Sequence, residues 1–151
     1  MLHFARRADP VRILCVEEDL VQRKLLEACL DVVGAEAVFA GNASQALSLF
    51  RRCDIDLVLM DFDLHTAQEL AAFEEMCETQ NWRVPIVAVT DNECRWSEAA
   101  YRDAGFAALY LKPIEPSRLI AALDGALRDA GQPPLLDDII GARQHAISHL
   151  H

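Results

Sequence analysis

The chain is predicted to be an α/β protein: a doubly wound sheet of five parallel strands, with an extra helix toward the C-terminus. Three observations lead there. Short β-rich runs alternate with longer segments whose apolar residues recur at helical spacing. Five such pairs follow one another between Val11 and Ala130. The full length of 151 residues suffices for one core with both faces of a sheet covered, but not for a second domain of that size.

The first strand is expected over Val11 to Val16 (VRILCV). A helix follows through LVQRKLLEACLDVV, where Leu25, Leu26, Cys29, Val32 and Val33 recur at helical spacing and Gly34 supplies the C-terminal stop. The second strand runs near Glu36 to Ala40, and Asn42 is a good N-cap for the helix ASQALSLFRRC. Ile55 to Met60 reads as the third strand, with a helix from about Thr66 to Thr79. Val84 to Val89 reads as the fourth, with Pro85 at its start, where a missing N–H is tolerated. Asn92 to Ala104 is the fourth helix, Ala107 to Leu111 the fifth strand, and Pro116 to Ala130 the fifth helix, entered through proline.

The organisation expected is therefore a short tail over 1–10, one domain over 11–130 and an extension over 131–151. In the extension Leu136, Ile139, Ile140, Arg143, Ile147 and Leu150 share one helical stripe, which predicts a sixth helix. Gly141 weakens it in isolation, so it needs a surface to pack on, in its own domain or on a partner.

Composition narrows the function. With 24 acidic against 14 basic residues the net charge is −10, which repels phosphate backbones and anionic lipid, so direct nucleic-acid binding and membrane attachment are not expected. No apolar run approaches membrane-spanning length and the first residues lack the core of a signal peptide, so the expected compartment is the cytoplasm. The five cysteines are far apart, without a C-x-x-C pair, which is the pattern of buried free thiols rather than of zinc or disulfides. His145 and His149 are spaced i,i+4 but lack a ligand partner at zinc-motif spacing, so they read as an exposed face. Trp82 and Trp96 read as packing or surface anchors.

In a parallel sheet the strand ends lie on one edge, and here they carry the chemistry. Glu17, Glu18 and Asp19 end the first strand, Asp61 the third with Asp63 just beyond, Thr90 and Asp91 the fourth, and Lys112-Pro113 the fifth. Taken alone, Asp61 could be a metal ligand, a nucleophile that takes up phosphate, or a helix cap. Carboxylates about 4 Å apart repel by roughly 4 kcal/mol per pair at a partly buried site, so the cluster calls for a cation. Mg²⁺ fits, because it takes hard oxygen ligands and keeps some of its waters. Lys112 can neutralise the remainder, and Thr90 can donate to a phosphoryl oxygen.

ILCVEED, DLVLMDFDL, PIVAVTD and YLKPIEPSRL, in this order and spacing, resemble the receiver domain of two-component response regulators over about Val11 to Ala130. The resemblance implies a flavodoxin-like sheet of order 2-1-3-4-5, a phosphoacceptor at Asp61, an acidic metal-binding pair at Glu17 and Glu18, a switch hydroxyl at Thr90, a phosphate-facing Lys112 and a cis bond before Pro113. Mg²⁺ would then be held by Glu18, Asp61 and the Asp63 backbone carbonyl, with Glu17 acting through water. The partners implied are a histidine kinase or histidine phosphotransfer protein and a downstream protein target, with a homodimer allowed. The protein would be a signalling module in a phosphorelay and not an enzyme.

The sequence departs from the family pattern in four places. Both members of the acidic pair are Glu, His65 and Gln68-Glu69 replace the usual residues of the loop after the acceptor, Asp91 follows the hydroxyl, and Leu109 takes the aromatic switch position, with Tyr110 on the opposite face. A degenerate receiver that binds proteins without phosphate is the alternative expectation. A third reading, from the likeness of D-F-D to the nucleophile motif of haloacid-dehalogenase-type phosphatases, fails on order, since that motif ends the first strand of its fold.

Overall fold

The computed structural model describes residues 10–62, 67–79, 83–91 and 97–135. Five strands, β1 (Arg12–Val16), β2 (Glu36–Ala40), β3 (Leu57–Asp61), β4 (Ile86–Thr90) and β5 (Ala108–Leu111), alternate with five helices. These are α1 (Leu20–Val32), α2 (Ala43–Arg52), α3 (Ala67–Thr79), α4 (Glu98–Ala104) and α5 (Pro116–Asp129). All neighbouring strands are parallel, in the order β2-β1-β3-β4-β5. The chain moves outward from β1 to β2 and then returns past β1 to β3, so the carboxyl ends of β1 and β3 border the crevice where such sheets bind ligands.

Alternation along the buried strands divides the core in two. Ile13, Cys15, Leu57, Leu59, Val87 and Val89 face one layer, which Leu26, Cys29 and Leu30 of α1 and Leu119, Leu123 and Leu127 of α5 complete. Leu14, Val16, Val58, Met60, Ile86 and Ala88 face the other, closed by Phe50 of α2, Phe73 and Met76 of α3, and Tyr101 of α4. Phe62, fully buried just after Asp61, meets the Phe106 ring edge-on at 5.1 Å, so the end of β3 is fixed by aromatic packing.

The helix ends follow local chemistry. The Asn42 side chain accepts the backbone N–H of Gln45 at 2.9 Å and opens α2. Gly34, at φ 73°, ends the turn after α1 in the left-handed region that glycine tolerates best.

Three expectations are corrected. In α1 the core side consists of Leu26, Cys29 and Leu30, while Leu25 (36% exposed) and Val32 (85%) face outward. The helix carries two apolar stripes about 100° apart, and periodicity does not say which one a sheet will cover. α4 starts at Glu98 and not at Asn92, because Ser97 is extended and its hydroxyl accepts the Ala100 N–H at 3.1 Å. β3 and β4 continue through Asp61 and Thr90, since Asp61 pairs in register with Val89 and Thr90 with Leu111. The expectations for 1–9, Asp63, His65, Trp82, Asn92, Cys94, Trp96, the sixth helix, His145 and His149 lie outside the described residues. Among the described residues no helix is long and apolar enough to cross a membrane.

Candidate phosphoacceptor site

Register brings the expected side chains together. Val16 pairs with Met60, so Glu17 follows beside Asp61, and the Glu17 N–H continues the ladder to the Ala40 carbonyl at 2.8 Å. On the other side Phe62 N–H donates to Val89 O at 2.8 Å and Lys112 N–H to Thr90 O at 2.9 Å. These bonds tie the end of β1 to β2, of β3 to β4 and of β4 to β5, while the β1–β3 ladder runs to Val16 and Met60.

At this edge Lys112 Nζ lies 3.3 Å from Asp61 Oδ2, with side-chain exposures of 16% and 22%. The pair is neither buried nor fully solvated, so its attraction is stronger than that of a surface salt bridge. The cap reading of Asp61 turns on residues 63–66, which lie outside the described residues.

Glu17 is buried and Glu18 exposed. With Asp61 and Glu69 they line one cleft, together with Gly41, Asn42 and Ala43. Glu17 is anchored: its Oε2 accepts the Asp19 N–H at 3.1 Å and its carbonyl accepts Arg23 Nε at 2.7 Å. Asp19 caps α1, its carboxylate accepting the N–H groups of Val21 (2.7 Å) and Gln22 (3.1 Å).

Thr90 is fully buried, and Asp91 after it is exposed. Tyr110 and Leu109 divide as expected. Tyr110 lies in the α1/α5 layer, where its hydroxyl accepts the Glu115 N–H at 2.9 Å and its ring carries the Arg118 guanidinium at 4.8 Å. Leu109 packs in the other layer with Ala88, so no aromatic ring stands at that position. Tyr110 therefore fixes the entry to α5. The bond before Pro113 is cis.

Two site residues were not predicted. Arg23 stacks over Phe39 at 5.6 Å and holds the Glu17 backbone, and a Cβ at Gly41 would come within 3.1 Å of its guanidinium. One turn into α1, its nearness to the end of β1 could have been read only from a helix packed on the sheet. Glu69 stood out only as a departure from a pattern, and the structure puts it in the cleft wall in the first turn of α3.

The response regulator receiver domain profile matches residues 13–124. The chain belongs to the response regulator receiver domain family. It is 30% identical over 122 residues to the polar-differentiation response regulator DivK of Brucella anthropi, covering 80% of this chain and 99% of that one. Receiver structures superpose closely. A CheY-like receiver domain protein from Methanospirillum hungatei matches with TM-score 0.72 at 21% identity, over 82% of this chain and 98% of that one. The receiver domain of a Pseudomonas aeruginosa sensor histidine kinase, described with a magnesium ion coordinated in its active-site cleft, matches with TM-score 0.68 at 27% identity, over 82% and 99%.

As a metal site this receiver's cleft offers the right kind of donor, carboxylate oxygen, in the number an ion that keeps its waters requires. Among the described residues no three His, Cys, Asp or Glu side chains converge on one point, so a cage made of protein ligands alone is not formed. The Asp63 carbonyl assigned to the metal lies outside the described residues.

Proposed function

We propose that this receiver accepts a phosphoryl group on Asp61, in a Mg²⁺-dependent reaction, from a histidine kinase or histidine phosphotransfer protein. The uptake then switches its contacts with a downstream protein. The observation that carries this reading is the Asp61 carboxylate at the end of the central strand β3, with Lys112 Nζ at 3.3 Å and Glu17 and Glu18 in the same cleft. A carboxylate oxygen of Asp61 attacks phosphorus and forms a P–O bond while the donor's P–N bond breaks. The electron pair returns to the imidazole, which leaves neutral when its other nitrogen carries a proton.

Lys112 stands where it can follow an added phosphoryl oxygen, and Thr90 can donate its hydroxyl to another. Glu18, Asp61 and the Asp63 carbonyl would hold Mg²⁺ directly and Glu17 through water; when bound, the ion screens the incoming phosphoryl charge from the carboxylates. The domain is then a phosphoryl recipient in a cytoplasmic relay, not an enzyme. A product with added charge biases the Thr90 end of β4, and with it the contact surface.

One observation favours the second reading, a degenerate receiver that binds proteins without phosphate. Glu69 adds a further carboxylate to the cleft and Asp91 another beyond Thr90, so an arriving phosphoryl group meets more negative charge. Incubation with Mg²⁺ and acetyl phosphate, read by intact mass, separates the two. The first reading gives a phosphoryl adduct that disappears in Asp61→Asn and without Mg²⁺. If no adduct forms and a beryllofluoride mimic does not bind, the second reading stands.

A further inference from the structure

Among the described residues the large apolar side chains that stand exposed all belong to α1: Leu20, Val21 (75%), Leu25 (36%) and Val32 (85%). Single exposed apolar residues are ordinary on a protein surface, but three of these fall in line with the exposed Ala28. Val21, Leu25, Ala28 and Val32 follow at steps of four, three and four residues and lie within about 60° of one another around the helix. The row is about 16 Å long and is turned away from Leu26, Cys29 and Leu30, which pack on the sheet. Its spacing is that of a seam between two helices.

The charges beside the row identify the second helix. Lys24 and Asp31, both exposed, stand seven residues apart, so they flank one edge of the row with opposite signs toward its two ends. A second copy of α1, laid antiparallel about a two-fold axis, sets Val21 against Val32 and Leu25 against Ala28 of the other copy. The same axis brings like edges together. Lys24 of each copy then comes within about 3 Å, along the helix, of the level of Asp31 in the other, and two reciprocal ion pairs flank the apolar contact. A parallel pair would set this edge against Gln22 and Cys29, which offer no counter-charge.

We propose that the protein self-associates through α1, two copies forming an antiparallel seam of Val21, Leu25, Ala28 and Val32 bordered by Lys24–Asp31 pairs between the copies. A seam of this length buries less than about 1,000 Å² in total, so the dimer is weak and forms at high protein concentration. The seam starts three residues after Glu18, so the cleft of each copy lies beside the C-terminal end of the other copy's α1.

Sedimentation velocity of the full-length protein over about 10 µM to 1 mM tests the seam, with circular dichroism to show that each variant keeps its fold. The wild type should pass from monomer toward dimer across this range. Lys24→Glu and Asp31→Lys each place like charges opposite one another and should raise the dissociation constant about tenfold. The Lys24→Glu, Asp31→Lys double variant should return to the wild-type value. So should an equimolar mixture of the two single variants, because one copy's Glu then meets the other's Lys while the native Lys24–Asp31 pair forms at the opposite end. A wild type that stays monomeric throughout would overturn the proposal. So would single variants that associate as the wild type does, or a mixture that associates no better than its components.

Discussion

Replacing Lys112 with glutamine removes the cation next to Asp61 and leaves that carboxylate in a cleft shared with Glu17, Glu18 and Glu69. At 3.3 Å and an effective dielectric of about 20, the attraction lost is about 5 kcal/mol before desolvation is counted. With exposures of 16% and 22%, both ions have already given up part of their hydration, and the net coupling should fall to about 1–2 kcal/mol. The single variants should be unequal. Lys112→Gln should destabilise by about 2 kcal/mol, because it takes away the positive charge 3.3 Å from Asp61, whereas Asp61→Asn also relieves repulsion among the cleft carboxylates and should cost under about 1 kcal/mol. Urea unfolding of wild type, Asp61→Asn, Lys112→Gln and the double variant, with chelator present to exclude divalent ions, gives the coupling directly. A coupling below about 0.3 kcal/mol, or Asp61→Asn costing as much as Lys112→Gln, would refute the electrostatic account of the cleft.

Two further outcomes follow from the packing. Asp19→Ala removes the side chain that caps α1 and should lower stability by about 1 kcal/mol in urea titration, with Asp19→Asn restoring most of it; no recovery would show that Asp19 acts through charge and not as a cap. Burial pushes the Cys15 thiol up from 9.0 to about 12, with the nearby Glu17 carboxylate adding to the shift. In the unfolded chain the thiol ionises near its ordinary value while the folded one stays protonated, so stability contributed below pH 9 should decline as pH rises toward 12. At pH 8 a disulfide-exchange reagent should modify Cys15 only on unfolding, and labelling of the folded protein at the rate of a free thiol would contradict its placement.

Much of the fold was legible in the chain. The three inner strands could be read because parallel strands buried on both faces are continuous apolar runs, and ILCV, LVLM and IVAV are separated by segments of another period. Asn42 announced α2, because a capping side chain acts on N–H groups only a few residues away. The site was legible as a list for the same topological reason: in a parallel sheet every strand end lies on one edge, so Glu17, Asp61, Thr90 and Lys112 had to share it.

What the sequence could not decide was orientation and distance. Leu25 and Val32 have the period of core residues and face outward, since only the docked sheet selects between the two stripes of α1. That Asp61 is half of an ion pair depended on how β3, β4 and β5 align, which is a matter of tertiary packing. Arg23 became part of the site only because α1 lies over β2 and brings its guanidinium to Glu17 and Phe39. Local patterns report interactions within a few residues of each other. The ion pair between Asp61 and Lys112 joins positions 51 apart in the chain, and only the assembled sheet brings them within reach.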